Sequence, residues 1–142
     1  MTWGRTNGGA APAEPSPVER RAAELDALER WAENMAGVFA AREGFGEGAA
    51  YLDGVQSGFA DSAAGIVWLR ENPEQGGSEV DETLARWATD RCVEALREAD
   101  QARDALEVAH ARGRAVAFDR ARTRFRQSPS PAGVRPLDGE RG

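Results

Sequence analysis

The chain has 142 residues, a formal net charge of −6, one cysteine and one histidine, and all 18 of its basic residues are arginine. One cysteine excludes an intramolecular disulfide and a zinc site built from several cysteines of one chain. The lack of lysine excludes a P-loop, and one histidine offers no recognisable Ser-His-Asp set. No signal-peptide pattern is found, and no uncharged run approaches the ~20 residues that span a bilayer. These exclusions favour a cytoplasmic, non-enzymatic protein that needs no cofactor and contacts no membrane.

Charge is distributed unevenly along the chain. Residues 1–109 carry 10 arginines and 21 acidic residues, whereas residues 110–126 carry six arginines and a single aspartate. An acidic protein body disfavours nucleic acid everywhere except at that basic segment.

The first predicted element is a helix over residues 17–42. It follows residues 1–16, which are rich in Gly, Ala and Pro and are predicted to form a disordered tail. Ser16 is a good N-cap, Pro17 suits the first helical position, and Glu19 completes a capping box. Apolar residues then recur every three or four positions, which predicts an amphipathic helix.

The second predicted helix covers residues 49–71 and follows a glycine-rich turn. A stripe of small residues, Gly54, Gly58 and Gly65, runs beside its large apolar face. In a helix interior each glycine costs about 1 kcal/mol relative to alanine. We therefore expect another backbone to lie close to this stripe.

The third predicted helix is long and covers residues 79–127. The apolar residues along its buried side, which we call the seam, are mostly alanine. The seam changes direction near Gly113, so we expect the helix to bend or break there, with a short fourth helix as the alternative. Residues 128–142 are Pro-rich and are predicted to be a second disordered tail. The predicted fold of residues 17–127 is all-α: an antiparallel three-helix bundle or a coiled-coil-like hairpin.

Three tryptophans are expected to form one aromatic cluster in this fold. An antiparallel register places Trp31 level with Ala63 and Trp87 level with Ala64, with Trp68 about one turn away. If all three are buried, replacing any of them by alanine should cost roughly 3 to 5 kcal/mol.

The first two helices can cover only part of such a long third helix, so its far end should carry an unpaired apolar surface. Together with the glycine stripe, this end predicts an association surface and a homodimer or a tight complex with a protein partner. We therefore interpret the chain as an adaptor, regulator or assembly accessory factor. The predicted interface residues are Gly54, Gly58, Gly65, Leu106, Val116, Phe118 and Phe125.

The basic segment suggests an alternative, a nucleic-acid-associated accessory protein. Its arginines alternate with Phe118 and Phe125, which could stack on bases while the arginines contact phosphates. On a helix, however, they point nearly all round, and they could instead bind another anionic partner or pair with acidic residues of other helices. The six arginines are Arg112, Arg114, Arg120, Arg122, Arg124 and Arg126.

A second alternative is a dimeric metal-binding bundle. Glu107 and His110 form an E-x-x-H sequence, the spacing that diiron helical bundles use for two ligands of one metal. The apolar seam passes through Leu106 and Ala109, which turns Glu107 partly outward, and the chain has no second copy of the motif. Cys92 lies on the alanine seam and is predicted to be a small buried hydrophobe.

Overall fold

A computed structural model describes residues 14–75 and 80–127. In this part of the chain the fold is all-helical and has no strand, which confirms the predicted class. None of the described helices combines the length and hydropathy needed to cross a membrane. The predicted tails, apart from residues 14–16, and the residues 76–79 lie outside the described residues. The four α-helices are α1 (Pro17–Ala40), α2 (Glu47–Glu71), α3 (Val80–Gln101) and α4 (Ala105–Arg126), and a short 3₁₀ turn (Pro73–Gln75) follows α2.

Helix α1 starts with the predicted capping box. The Ser16 hydroxyl accepts a hydrogen bond from the Glu19 N–H at 3.1 Å, and the Glu19 carboxylate accepts one from the Ser16 N–H at 2.8 Å. Hydrogen bonds that the Glu19 carboxylate accepts from Ser16, first from its backbone N–H and then from its side chain, favour the ionised form and lower the pKa of Glu19. Because the pKa is lowered in the fold, this stabilisation is present above the ordinary glutamate pKa and is lost on acidification.

The long helix predicted over residues 79–127 is two helices. Helix α3 ends at Gln101, and Asp104 caps the start of α4 by accepting a hydrogen bond from the Glu107 N–H at 2.8 Å. The Glu107 carboxylate in turn accepts one from the Arg103 N–H at 3.0 Å. The two bonds satisfy backbone donors that a new helix start leaves unpaired.

The predicted break at Gly113 is wrong, because Gly113 is buried in the interior of α4. The change in direction of the seam has a different cause. Helix α4 packs against both α2 and α3, so its apolar residues lie on two faces, one toward each of these helices.

Replacing Asp104 by alanine should destabilise the fold by about 1 kcal/mol, because the α4 cap is lost. Equilibrium urea unfolding followed by far-UV circular dichroism measures the change. Asp100→Ala is the matched control: Asp100 is also exposed but lies near the end of α3, where a carboxylate opposes the helix dipole. Its removal should be neutral or slightly stabilising, and equal losses for the two variants would contradict the assignment of the cap.

The directions of the helices follow from their contacts. Gly54 faces His110 and Arg114, and Gly58 faces Arg114 and Ala117, so residue numbers rise together and α2 and α4 run parallel. The short turns within the pairs α1–α2 and α3–α4 make each of these pairs antiparallel. Helices α2 and α4 therefore begin at the same end of the molecule, where α1 and α3 end. We call it the apical end; it holds the turns 41–46 and 102–104.

Glycine brings the backbones of α2 and α4 into direct contact. A Cβ atom on Gly54 would lie 2.0 Å from the carbonyl oxygen of His110, and one on Gly113 would lie 2.2 Å from that of Tyr51. A Cβ on Gly58 would lie 2.6 Å from the Cβ of Ala117. For Gly54 and Gly58 the expected close backbone is therefore α4 of the same chain, whereas Gly65 faces the Trp87 side chain on α3.

Three fully buried phenylalanines, Phe59, Phe118 and Phe125, fill the centre of the core. Trp31 packs edge-on against Phe59 and Phe125, with ring centroids 5.5 and 6.5 Å apart, and Trp87 packs edge-on against Phe118 at 5.7 Å. Both tryptophans border one core cluster, which also contains apolar residues of α1, α2 and α3.

The prediction of a cluster of three tryptophans is wrong in its membership. Trp31 and Trp87 have phenylalanine ring partners, and Trp68 is 53% exposed. The glycine contact explains the difference, because it draws α4 into the centre and puts phenylalanine between the tryptophans. Trp87 lies against Gly65, one residue from the position that the antiparallel register placed level with it.

Candidate functional site

Four of the predicted interface residues are internal. Phe118 and Phe125 have no exposed surface, and Gly54 and Gly58 are buried against α4. The predicted overhang is absent, because the turn at 102–104 folds α4 back along α3.

The other three predicted interface residues keep some accessible surface. Gly65 is half-buried against Trp87, Val116 is half-buried on α4, and Leu106 is 52% exposed at the start of α4. Only Leu106 among the seven predicted residues is an exposed large apolar side chain.

The structure gives Glu107 and His110 separate partners. The Glu107 carboxylate accepts a hydrogen bond from the Arg103 N–H at the start of α4. His110 Nε2 lies 3.3 Å from a carboxylate oxygen of Asp53 on α2. The two residues line a shallow cleft of ≈ 500 Å³ together with Glu98, whose carboxylate pairs with Arg114 at 2.6 Å. Among the described residues no group of three or more His, Cys, Asp or Glu side chains is placed to hold a metal ion.

The fold itself uses half of the arginines in the basic segment. Arg114 pairs with Glu98 at 2.6 Å and with Asp61 at 3.5 Å. Arg122 pairs with Asp119, and the Arg124 guanidinium lies 5.9 Å from the ring centroid of Trp31. Arg114 and Arg124 therefore connect α4 to its neighbours, whereas the Arg122–Asp119 pair lies within α4. The exposed members, on the outer side of α4, are Arg112, Arg120 and Arg126.

Cys92 is half-buried between α3 and α4, close to its predicted role. Its thiol donates a hydrogen bond to the carbonyl oxygen of Ala115 at 3.4 Å. Burial raises the pKa of this thiol, and the negative charge of Asp119 raises it further. The thiol is therefore protonated at neutral pH and is a poor nucleophile.

The most exposed large apolar side chain of the described residues is Phe45, at 92%. Its backbone is held in place: the Phe45 carbonyl oxygen accepts hydrogen bonds from the N–H groups of Gly48 at 2.9 Å and Ala49 at 3.4 Å, at the start of α2. Gly46 has φ 56°, in the left-handed region that favours glycine, and a Cβ on Gly44 would lie 3.0 Å from the backbone nitrogen of Ala49. The turn thus fixes the backbone and leaves the ring in solvent.

Two shallow clefts at the apical end border Phe45 and the start of α4. The first, of ≈ 330 Å³, is lined by Phe39, Phe45 and Leu52 among others. The second, of ≈ 570 Å³, lies between the starts of α2 and α4, with Tyr51 and Val108 in its lining. Leu106, at the start of α4, lines the neighbouring cleft of ≈ 500 Å³ that Glu107 and His110 also line. We call these apolar residues the apical surface: Phe39, Phe45, Tyr51, Leu52, Leu106 and Val108.

Sequence reasoning identified Leu106 on this surface but missed Phe45. The available signal was an aromatic residue between two glycines in a turn, outside the helical apolar pattern. Other exposed apolar side chains lie elsewhere on the helices and are normal as single residues. They are Val18, Val38, Trp68, Val93 and Leu96.

Comparison of the chain with models of protein families, with curated proteins and with solved structures finds no match. A functional interpretation therefore depends on the chemistry of the site.

Proposed function

We propose that the protein is a non-enzymatic interaction protein, an adaptor, regulator or assembly accessory factor, that binds a protein partner through the apical surface. The observation that carries the proposal is Phe45, an aromatic ring 92% exposed on a turn whose backbone is held by hydrogen bonds. Burying such a ring against a partner is favourable by about 1.5 to 3 kcal/mol. Aromatic anchors of this kind often carry most of the binding energy of an interface.

The surroundings of Phe45 support the same proposal. Half-buried Phe39 and Leu52 line the same cleft as Phe45, and half-buried Tyr51 and Val108 line the second cleft at the same end of the molecule. An interface needs an apolar centre with polar groups around it, and the apical surface has this composition. Because the turn is already ordered, binding would cost little conformational entropy there.

The two alternatives have less support. The exposed arginines Arg112, Arg120 and Arg126 favour a nucleic-acid contact, but Asp119 is exposed on the same outer side of α4 and lowers its positive potential. Metal binding at Glu107 and His110 would have to compete with the hydrogen bond that Glu107 makes at the start of α4.

Phe45→Ala should remove the protein partner without unfolding the protein, because the ring contributes little to the core. Tagged wild-type and variant proteins are purified from the native host, and the co-purifying proteins and nucleic acids are quantified by mass spectrometry and absorbance. We expect the yield of the main protein partner to fall by about tenfold or more, as for an interface hot spot.

Val18→Ala is the matched control, since Val18 is 76% exposed at the opposite end of the molecule. It should leave the partner yield unchanged. A partner that is retained equally by both variants, or nucleic acid as the main co-purifying species, would overturn the proposed function.

A further inference from the structure

We infer that the partner segment covering the apical surface is basic: an apolar side chain or two seated around Phe45, flanked by lysine or arginine. This inference rests on the proposed function and adds the chemical class of the partner. The charges that surround the apical surface support it.

The apical end is distinctly acidic. Residues 41–53 and 98–112 contain seven acidic residues and three arginines. The described segments of the opposite end are nearly balanced, with ten acidic residues and eight arginines in 14–29, 66–75, 80–86 and 118–127. The negative charge of the described chain is thus concentrated around the exposed aromatic ring.

Several of these carboxylates are accessible to a partner. Glu43 and Glu47 are exposed on either side of the turn that carries Phe45. The Asp53 side chain, which also contacts His110, is 69% exposed nearly two turns further along α2. Of the three arginines, Arg42 has its guanidinium over the ring of Phe39 at 4.5 Å, and Arg112 lines the second cleft. Helix dipoles do not offset the carboxylates, because two helices begin and two end at this end of the molecule.

An acidic surface around an apolar anchor selects against two kinds of occupant. A symmetric contact between two copies would bring the same carboxylates together, and like charges across an interface cost several kcal/mol. The same repulsion disfavours nucleic acid at this end. A basic segment instead gains charge-assisted hydrogen bonds and faster association.

Three fluorescein-labelled synthetic peptides with helical spacing test the inference on the full chain. The first combines leucine with lysine, the second leucine with glutamate, and the third replaces the leucines by serine and keeps the lysines. Fluorescence anisotropy should show binding of the first peptide, and binding at least about tenfold weaker for the other two. Raising the salt from about 50 to 500 mM should weaken the first interaction strongly.

Variants of the protein locate the binding surface. Phe45→Ala should weaken binding of the leucine–lysine peptide by about tenfold, and the pair Glu43→Gln and Glu47→Gln by several-fold. The control pair Glu71→Gln and Glu74→Gln, also exposed but at the opposite end, should leave binding unchanged. Amide chemical shifts of the labelled protein should change around the turn 41–46.

Three outcomes would overturn the inference. One is equal binding of the lysine and glutamate peptides. Another is chemical-shift change centred on Trp68 rather than on the turn. The third is a dimer in light scattering that Phe45→Ala dissociates, since the occupant is then a second copy. If binding of the native partner is weakened by Phe45→Ala but not by the pair Glu43→Gln and Glu47→Gln, the proposed function stands and the basic partner is refuted. If Phe45→Ala leaves that binding unchanged, the proposed function itself fails.

Discussion

Gly54→Ala should destabilise the protein by about 2 kcal/mol, the upper end of the net cost, although alanine is normally the better helix former. The new Cβ would lie 2.0 Å from the His110 carbonyl oxygen and 2.9 Å from its carbon. Both atoms belong to the α4 backbone, so neither can move without displacing the helix. Overpacking typically costs 1 to 3 kcal/mol, and here it exceeds the roughly 1 kcal/mol that alanine contributes by its helix propensity.

Gly37→Ala is the matched control for this prediction. Gly37 lies inside α1, is exposed, and has no atom within 4 Å of the position that a Cβ would take. Alanine there should stabilise the protein by about 0.5 to 1 kcal/mol, because it restricts the unfolded chain. Equilibrium urea unfolding gives both free energies, and opposite signs are expected for the two substitutions.

A double variant separates a shared contact from two independent ones. Gly113→Ala should be as harmful as Gly54→Ala, since its Cβ would meet the Tyr51 carbonyl oxygen at 2.2 Å. Once the first substitution has pushed α2 and α4 apart, the second should cost less than it does alone. Strict additivity, or a Gly54→Ala variant as stable as Gly37→Ala, would show that the two backbones are not in contact.

Local signals in the sequence predict local structure well in this chain. The start of α1 is correct to the residue because Ser16, Pro17 and Glu19 specify the cap by their own chemistry. The glycine stripe on α2 correctly indicates a close backbone, since its cost in helix propensity requires compensation. In both cases the residues that determine the local structure lie within one short segment of the sequence.

The turn between α3 and α4 shows why the arrangement was harder to predict. It contains neither glycine nor proline, and the alanine seam continues across it, so periodicity alone predicts one long helix. Asp104 with Glu107 three residues later was a readable start signal, but Gly113 is the stronger helix breaker by propensity. Because the chain reverses at this turn, the backbone of α4 lies against Gly54 and Gly58. The helical period of a sequence shows which face is buried, but it does not show which helix covers that face.

The candidate site was only half visible for a related reason. Leu106 belongs to the helical apolar pattern, but its exposure was predicted from an overhang that is absent; it is exposed at the start of α4. Phe45 belongs to no pattern, and whether its ring packs inward or points to solvent depends on the backbone of Gly46, with φ 56°. A glycine at position 46 allows this φ angle, but the sequence does not show that the residue adopts it.

The second large effect is expected at Phe59. Phe59→Ala should destabilise the protein by about 3 to 5 kcal/mol, because the ring is fully buried, stacks on Phe39 with centroids 5.9 Å apart and receives the edge of Trp31 at 5.5 Å. Trp68→Ala, which removes a larger but 53% exposed side chain, should cost less than about 1.5 kcal/mol. Thermal and urea unfolding measure both.

The comparison tests whether the stability of this core comes from phenylalanine or from tryptophan. The sequence alone predicts a loss of roughly 3 to 5 kcal/mol for a buried Trp68, whereas in the structure Trp68 is 53% exposed and Phe59 is fully buried. If Phe59→Ala proves too unstable to purify, Phe59→Leu should still lose about 1 kcal/mol with a cooperative transition. A Trp68→Ala variant less stable than Phe59→Ala would mean that Trp68 lies in the core and that α4 does not pack against α2.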